Sequence, residues 1–120
     1  MEWCFDGDRP IWHQIVEQLK RRIVTNAYPP GERLPSVREL SYEAGVNPNT
    51  MQRALAQLES EGLAVTNRTA GRHVTRDSAV IDSLRDRLAR EKIGEFLKNM
   101  EELGYSAGEA ISLLQRGEEE

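Results

Sequence analysis

The chain has 120 residues, of which 38% are hydrophobic and 30% charged, and its formal net charge is −4. This profile is typical of one small ordered domain, or of one domain with an appendage, and it is short for an enzyme with a deep active site. No apolar run approaches the roughly 18 residues of a membrane span. Cys4 is the lone cysteine, so an internal disulfide is excluded and we expect a cytoplasmic protein. The two histidines are far apart, so we expect neither a metal site nor a cofactor.

The charge is unevenly distributed along the chain. Residues 1–76 contain ten Lys and Arg against nine Asp and Glu, whereas residues 77–120 contain six against eleven. A near-neutral first part can carry a basic face, but the acidic second part is poorly suited to phosphate. Composition therefore permits DNA binding without requiring it.

Two helices are predicted in the first forty-five residues. Pro10 fits a first helical turn, and the apolar residues that follow it up to Ile23 recur at helical spacing. A loop with two prolines and a glycine comes next. The second helix begins in "PSVREL", where Ser36 and Glu39 have the spacing of a capping box. Gly45 suits the left-handed position just after the helix.

The stretch "GVNPNTMQRAL" predicts a third helix whose first turn is polar. Asn47 is a favoured cap, and Pro48 follows at the first helical position, where its missing N–H costs nothing. The apolar residues at helical spacing define the buried face: Met51, Ala54, Leu55 and Leu58. The polar residues cluster outward at the start of the helix: Asn49, Thr50, Gln52 and Arg53. The pattern indicates a helix whose first turn makes contacts.

A β-hairpin and two further helices are predicted after Gly62. "LAVT" alternates, with Leu63 and Val65 on one side, and "RHVT" returns across a polar tip that carries Arg68 and Arg72. A long helix then runs from Ser78 to about Leu103. Ser106 and Glu109 form a second capping box ahead of a short last helix.

The long helix has more apolar positions than one small domain needs to cover. We therefore predict that it forms an isologous dimer interface. The candidate dimerisation residues follow the apolar pattern of the helix: Ile81, Leu84, Leu88, Ile93, Phe96, Leu97 and Met100.

Two short helices joined by a tight glycine turn and followed by a hairpin define a winged helix-turn-helix. The predicted fold class is mainly α with a small β-hairpin. The winged helix-turn-helix occupies residues 1–76, and a two-helix dimerisation appendage occupies residues 77–120. In such motifs the second helix places its N-terminal residues in the DNA major groove, and an arginine-bearing wing reaches backbone or minor groove.

The segments "PPGERLPSVREL", "GVNPNTMQRALAQLESEGL" and "AGRHV" resemble the DNA-binding domain of the GntR family of bacterial transcription regulators. The resemblance is close from about Pro10 to Thr75, and "VNPNT" with a short C-terminal region is most similar to the YtrA-type branch. It implies that Arg38 contacts DNA and that Thr50 binds a phosphate. The full set of implied and candidate DNA-binding residues is Arg38, Pro48, Asn49, Thr50, Gln52, Arg53, Arg68 and Arg72. Thr69 and His73 depart from the family pattern, which usually has a glycine and an aromatic residue there.

These observations predict a sequence-specific DNA-binding regulator that acts as a repressor. The resemblance implies that it binds a double-stranded, two-fold symmetric operator as a homodimer. A small-molecule effector that binds at the junction of the two regions is a further hypothesis. The alternative is a winged-helix protein-interaction module without sequence-specific DNA binding. An enzyme is rejected because no nucleophile–base pair or phosphate loop is present. The arginines also have an alternative interpretation as solvated surface residues. We expect Trp3, Phe5 and Trp12 to pack in the core around the first helix.

Overall fold

The computed structural model describes the backbone of residues 2–119 and the side chains of residues 2–117. Five helices and one hairpin follow in the order α1 (Ile11–Val24), α2 (Val37–Ala44), α3 (Pro48–Ser60), β1 (Ala64–Asn67), β2 (Gly71–Val74), α4 (Ser78–Glu102) and α5 (Ala107–Glu119). The predicted fold class is confirmed. The chain divides into two compact units, Met1–Leu84 and Arg85–Glu120. The predicted domain boundary between residues 76 and 77 stays a prediction.

Hydrogen bonds fix the starts of α2 and α3 at the predicted residues. Ser36 Oγ accepts from the Glu39 N–H at 3.1 Å, and Glu39 Oε1 accepts in return from the Ser36 N–H. Asn47 Oδ1 accepts from the Asn49 N–H at 2.8 Å, and α3 begins at Pro48. Gly45 joins the two helices with a φ of 69°, in the left-handed region that glycine enters without steric cost. The tight turn of the helix-turn-helix is therefore specified locally.

The core of the first unit is built from the apolar faces of its helices. Fully buried side chains come from α1, α2 and α3: Ile15, Leu19, Ile23, Leu40, Met51, Ala54, Leu55 and Leu58. The predicted inward face of α3 is confirmed by this set. Such burial is the main term that holds α3 in place, since a fully buried Leu or Ile contributes about 1.5–3 kcal/mol.

The hairpin corrects one detail of the predicted strand. β1 pairs with β2 in antiparallel register, with Ala64 opposite Val74. Leu63 and Ala64 are both buried, whereas Val65 is 56% exposed, so the prediction that Leu63 and Val65 share one side is wrong. The reason is that Leu63 still belongs to the turn, where its N–H donates to the Leu58 carbonyl at 2.9 Å. Strand alternation begins at Ala64 and turns Val65 to the outer face.

The N-terminal segment is held on α1 by two buried glutamine amides. Gln18 accepts from the Cys4 N–H and donates to the Cys4 carbonyl, at 3.1 and 2.8 Å. Gln14 does the same for Asp6, with both distances at 2.9 Å. The two glutamines are one helical turn apart, so their amides lie on one face of α1. This pair of glutamines, the amide clamp, satisfies backbone groups of residues 4 and 6 that the segment cannot pair internally.

A buried arginine adds a second anchor for this segment. Arg22 is 4% exposed, and its guanidinium carbon lies 4.1 Å from the centre of the Trp3 ring. Arg22 Nη1 donates to Tyr28 Oη at 2.8 Å and to Glu43 Oε1 at 3.2 Å. The charge of Arg22 is thus compensated inside the protein, as a buried cation requires.

The second unit contains the rest of α4 together with α5. Ser106 Oγ accepts from the Glu109 N–H at 3.1 Å, and Glu109 Oε1 accepts from the Ser106 N–H at 3.0 Å, which confirms the second capping box. The hydrogen bond from the Ser106 N–H to the carboxylate, and after it the interaction with the Ser106 side chain, lower the pKa of Glu109. Although α4 has 25 residues, no helix in the described part of the chain is both long and apolar enough to cross a membrane.

Candidate nucleic-acid interface

The first turn of α3 presents polar side chains to solvent. Pro48, Asn49, Gln52 and Arg53 are exposed, and Thr50 is half-buried. Asn47 uses its side chain to cap the helix and is therefore not available for a ligand. A helix N-terminus carries unpaired N–H groups and a partial positive charge, which favour an anion in front of it. The start of α3 therefore combines charge complementarity to phosphate with amide side chains that can pair with base edges.

Arg38 lies in the first turn of α2, where it is exposed. Within residues 2–117, whose side chains are described, Arg38 makes no hydrogen bond or ion pair. Its five N–H donors are thus available to an external acceptor.

The β1–β2 hairpin, or wing, carries the two predicted arginines Arg68 and Arg72 in different surroundings. Arg68 sits at the exposed tip, where the Asn67 side chain accepts from the Thr69 N–H and hydroxyl at 3.0 and 3.1 Å. These bonds order the tip around Thr69, the residue that stands where the family usually has glycine. Arg68 is thus presented on a locally structured turn.

Arg72, in contrast, is committed to the protein. Its Nε lies 2.6 Å from Glu59 Oε1, and its side chain is only 16% exposed. The Thr66 hydroxyl donates to the same carboxylate. The Thr66 hydrogen bond, and after it the hydrogen bond and charge of Arg72, lower the pKa of Glu59. Arg72 therefore ties the hairpin to the end of α3, and the DNA contact predicted for it stays a prediction.

Trp12 occupies a position that the sequence does not reveal. The prediction that it packs in the core is wrong, because it is half-buried at the start of α1. The guanidinium carbon of Arg53 lies 4.2 Å from the centre of the Trp12 ring. These residues are 41 positions apart, so no local spacing indicates the contact. Trp3 and Phe5 are also half-buried and stack on each other, with ring centres 6.1 Å apart.

Contacts between α1 and α3 hold α3 in place. Lys20 Nζ lies 2.8 Å from Glu61 Oε1 just beyond the end of α3, and the Trp12–Arg53 stack joins the start of α1 to the middle of α3. Between them lie the buried apolar faces of both helices. The outward face of α3 is therefore held on a rigid support, as precise recognition requires.

The predicted dimerisation residues differ in how far they are buried. Ile81 and Leu84 lie in the first unit and are 4% and 2% exposed, so their side chains are already covered by their own chain. Ile93 is 57% exposed. The others are half-buried in the second unit: Leu88, Phe96, Leu97 and Met100. Further large apolar side chains of that unit, not among the predicted set, are exposed: Leu103, Ile111 and Leu114.

A winged helix-turn-helix with an exposed, polar recognition helix is the architecture of DNA-binding transcription regulators. The family model "Bacterial regulatory proteins, gntR family" matches residues 12–74. The chain is also 38% identical over 111 residues, 92% of each chain, to the uncharacterized HTH-type transcriptional regulator YhcF of Bacillus subtilis (strain 168). The chain therefore belongs to the GntR family of bacterial regulators, and it is a transcription regulator and not an enzyme.

Other relatives extend this result. A GntR family transcriptional regulator from Listeria monocytogenes has a TM-score of 0.85 at 37% identity, over 93% of this chain and 98% of that one. The transcriptional repressor YtrA of Bacillus subtilis is 39% identical over 69 residues, 58% of this chain and 53% of YtrA. The AraR DNA-binding domain, solved in complex with operator ORX1, has a TM-score of 0.57 at 26% identity, over 62% of this chain and 96% of that one. The predicted family and winged fold are confirmed by these similarities.

Proposed function

We propose that this regulator is a repressor that binds a two-fold symmetric operator as a homodimer. The observation that carries the proposal is the exposed polar start of α3, next to arginines that have no acceptor within residues 2–117. Relatives described as repressors, YtrA and NagR of Bacillus subtilis, support the direction of regulation.

Each exposed residue receives a role from its chemistry. Asn49 and Gln52 carry amides that can pair with an adenine edge in the major groove. Thr50 and Arg38 bind backbone phosphates on either side of the recognition helix, and these contacts set its register on the duplex. Arg68 reaches the minor groove or backbone from the wing tip. Pro48 shapes the helix start and contributes contact surface without a donor.

The dimer is proposed from the apolar surface of the second unit. Ile93, Leu103 and Leu114 are each more than half exposed, which is unusual for several large apolar residues in so short a segment. A second copy of the same surface is the simplest cover, because an isologous contact satisfies both copies at once. A dimer also presents two recognition helices, which suits an operator with two half-sites.

A small-molecule effector is also proposed to control operator binding by this regulator. A signal that alters operator affinity must bind two states of the protein differently. Within the second unit, a groove of about 370 Å³ is lined by residues of α4, of the loop that follows it and of the start of α5, including Lys98, Glu101 and Tyr105. We propose a small polar molecule as the effector. Calorimetric titrations with candidate ligands that all remain silent would count against it.

The decisive experiment measures binding to DNA from immediately upstream of the protein's own gene. Fluorescence anisotropy is recorded with this duplex and with unrelated DNA, at two salt concentrations. We expect tight, competitor-resistant binding of two chains per duplex that weakens with salt. Arg38→Ala should weaken it by about tenfold or more, because a charge-assisted contact is lost in each copy.

Arg90→Ala is the matched control for this measurement. Arg90 is exposed on α4 in the second unit and pairs with Asp86 at 2.8 Å. Its removal therefore changes the net charge equally, at a residue outside the proposed DNA-binding set. If Arg38→Ala and Arg90→Ala behave alike, the proposed contact of Arg38 is refuted. Equal, weak binding of both DNAs by the unmodified protein would refute recognition of this operator.

A second candidate function rests on Tyr42. Its side chain is 91% exposed on α2, one helical turn after Arg38. An exposed aromatic residue next to an arginine is a composition enriched in protein–protein contacts. On this alternative the winged helix binds a protein partner through Tyr42 and Arg38. It predicts that Arg38→Ala and Tyr42→Ala weaken capture of that partner and leave DNA affinity unchanged.

A further inference from the structure

We infer that Trp12 is a positioning residue that holds Arg53 for contact with a backbone phosphate of the DNA. The inference makes the start of α1 part of the DNA-binding surface. It rests on the proposed function, since it concerns the same recognition helix.

The geometry of the stack leaves Arg53 free to bind an anion. The guanidinium carbon of Arg53 lies over the Trp12 ring, 4.2 Å from its centre, within the range of a cation–π contact. A guanidinium carries five N–H donors, so a contact with one aromatic ring leaves donors for an external acceptor. Arg53 is exposed and, within residues 2–117, makes no hydrogen bond or ion pair. Its donors are therefore available, and the ring restricts the directions in which they point.

The position of the pair indicates a phosphate and not a base edge. Arg53 is one turn after Asn49 on α3, but its side chain turns toward α1, where Trp12 covers it. When α3 lies in the major groove, its outermost residues face the bases and its flanks face the phosphate walls of the groove. A guanidinium directed to the α1 flank is thus placed beside the backbone.

The neighbouring charges do not capture Arg53. The rings of His13 and Trp12 are nearly perpendicular, with their centres 5.5 Å apart, and His13 Nδ1 lies 3.6 Å from Glu17 Oε1. Glu17 is itself bound by Arg9, whose Nη1 lies 2.9 Å from the same oxygen. The nearby carboxylate is therefore compensated by Arg9, and Arg53 keeps its charge for an external ligand.

A second arginine–tryptophan stack, between Arg22 and Trp3, can be compared with the Arg53–Trp12 stack. Arg22 lies 4.1 Å from the centre of the Trp3 ring, nearly the same distance. Arg22, however, is buried and bonded to Tyr28 and Glu43. One stack therefore stabilises the fold, whereas the other presents a cation to solvent. Trp3 supplies a matched control for Trp12.

The test measures binding to a mixed-sequence duplex of about 30 base pairs, since phosphate contacts are independent of sequence. Anisotropy titrations over a range of salt concentrations are made with Arg53→Ala, Trp12→Leu and the double variant. Arg53→Ala should weaken binding and reduce the salt slope by about 0.9 for each bound copy. Trp12→Leu should weaken binding by about 2- to 5-fold per copy and leave the slope largely unchanged, because the charge remains. In the Arg53→Ala background, Trp12→Leu should have no further effect.

Rescue and control variants separate positioning from folding. Trp12→Phe, which keeps an aromatic face, should restore most of the affinity lost in Trp12→Leu. Arg53→Lys keeps the charge without a flat cation, so it should retain the slope and lose affinity even if Trp12→Leu folds poorly. Trp3→Leu should lower the thermal unfolding midpoint and leave DNA affinity unchanged.

Two outcomes would overturn the inference. One is an equal affinity loss from Trp12→Leu with and without Arg53, which would show that the ring acts by itself. The other is unchanged affinity and slope in Arg53→Ala. If the unmodified protein binds no duplex at all, the proposed function fails and this inference falls with it. If that protein binds DNA and the Trp12 and Arg53 variants bind equally well, only the inference fails.

Discussion

The units Met1–Leu84 and Arg85–Glu120 bury their large apolar side chains to different degrees. In the first, the apolar faces of three helices meet, and residues such as Leu19 and Leu55 have no exposed surface. In the second, Leu103 and Leu114 are 73% and 57% exposed, although each lies on or next to a well-formed helix. Helix formation alone therefore does not complete a core. The first unit therefore has a well-buried apolar core, whereas the second leaves several large apolar side chains exposed.

The ion pairs of the two units also differ in whether they join separate elements or residues of one helix. In the first unit, Lys20–Glu61 and Arg72–Glu59 join separate elements at 2.8 and 2.6 Å. In the second, Arg90–Asp86 joins residues one turn apart on the same helix. Pairs between elements help to fix tertiary structure, whereas pairs within a helix add only a few tenths of a kcal/mol to that helix.

The largest expected effect comes from placing a charge on the exposed apolar surface of the second unit. Leu114→Asp would bury an unpaired carboxylate in the proposed dimer interface, which is strongly unfavourable. We expect the dimer to dissociate and operator affinity to fall by about 10²- to 10⁴-fold, because two half-sites then bind independently. Light scattering after size-exclusion chromatography gives the mass, and anisotropy gives the affinity.

Gln115→Asp is the control for this substitution. Gln115 is the exposed polar neighbour of Leu114 on α5, so the same charge is added beside the apolar residue. Its mass and affinity should match those of the unmodified protein. If the Leu114→Asp variant still has the mass of a dimer, this apolar surface is not the dimer interface.

The next largest effect tests whether the first unit depends on its own core. Leu55→Ala removes a fully buried side chain of α3 and should lower the free energy of unfolding by about 2–5 kcal/mol. Tyr42→Ala, at a position that is 91% exposed in the same unit, should change it by less than about 0.5 kcal/mol. Urea unfolding followed by circular dichroism measures both. Equal effects would contradict the description of this unit as closed.

The smallest effect concerns the tie between the wing and α3. Hydrogen bonds from Thr66 and Arg72 to the Glu59 carboxylate lower its pKa below the ordinary value of 4.5. The stabilisation is therefore fully present above pH 4.5 and is lost as the pH falls through the lower pKa of the folded state. Glu59→Gln should lower stability at neutral pH by about 0.5–1 kcal/mol, and the difference from the unmodified protein should shrink in acid.

Thermal unfolding between neutral and strongly acidic pH measures this difference. Glu91→Gln, at an exposed site on α4, is the control and should show no comparable dependence. A difference between Glu59→Gln and the unmodified protein that persists in acid would mean that the carboxylate charge is not what holds the wing.

Most of the structure that could be predicted follows from sequence patterns within a few positions. Capping residues, the glycine turn and the helical spacing of apolar residues identify α2 and α3, because each depends on contacts within a few positions. The polar first turn of α3 is predictable for the same reason. The family pattern added Arg38, which spacing alone does not distinguish from an ordinary surface arginine.

Contacts between distant segments were the part that the sequence did not reveal. The Arg72–Glu59 pair joins the hairpin to α3, and the Trp12–Arg53 stack joins α1 to α3. Both depend on how helices and strands pack, which no local pattern encodes. Helical spacing likewise did not show that Ile81 and Leu84 are buried by their own chain, since an apolar stripe does not show which surface covers it. Their part in a dimer stays a prediction.

The amide clamp has a consequence for how the sequence can change over time. Gln14 and Gln18 bind the backbone of residues 4 and 6, and a backbone is the same whatever side chain it carries. The N-terminal segment can therefore exchange its residues at these two positions while it keeps its place. The two glutamines cannot be exchanged so freely, because a shorter or apolar side chain would leave buried donors and acceptors unpaired. Among related proteins, we therefore expect the two glutamines to persist while the residues at positions 4 and 6 vary.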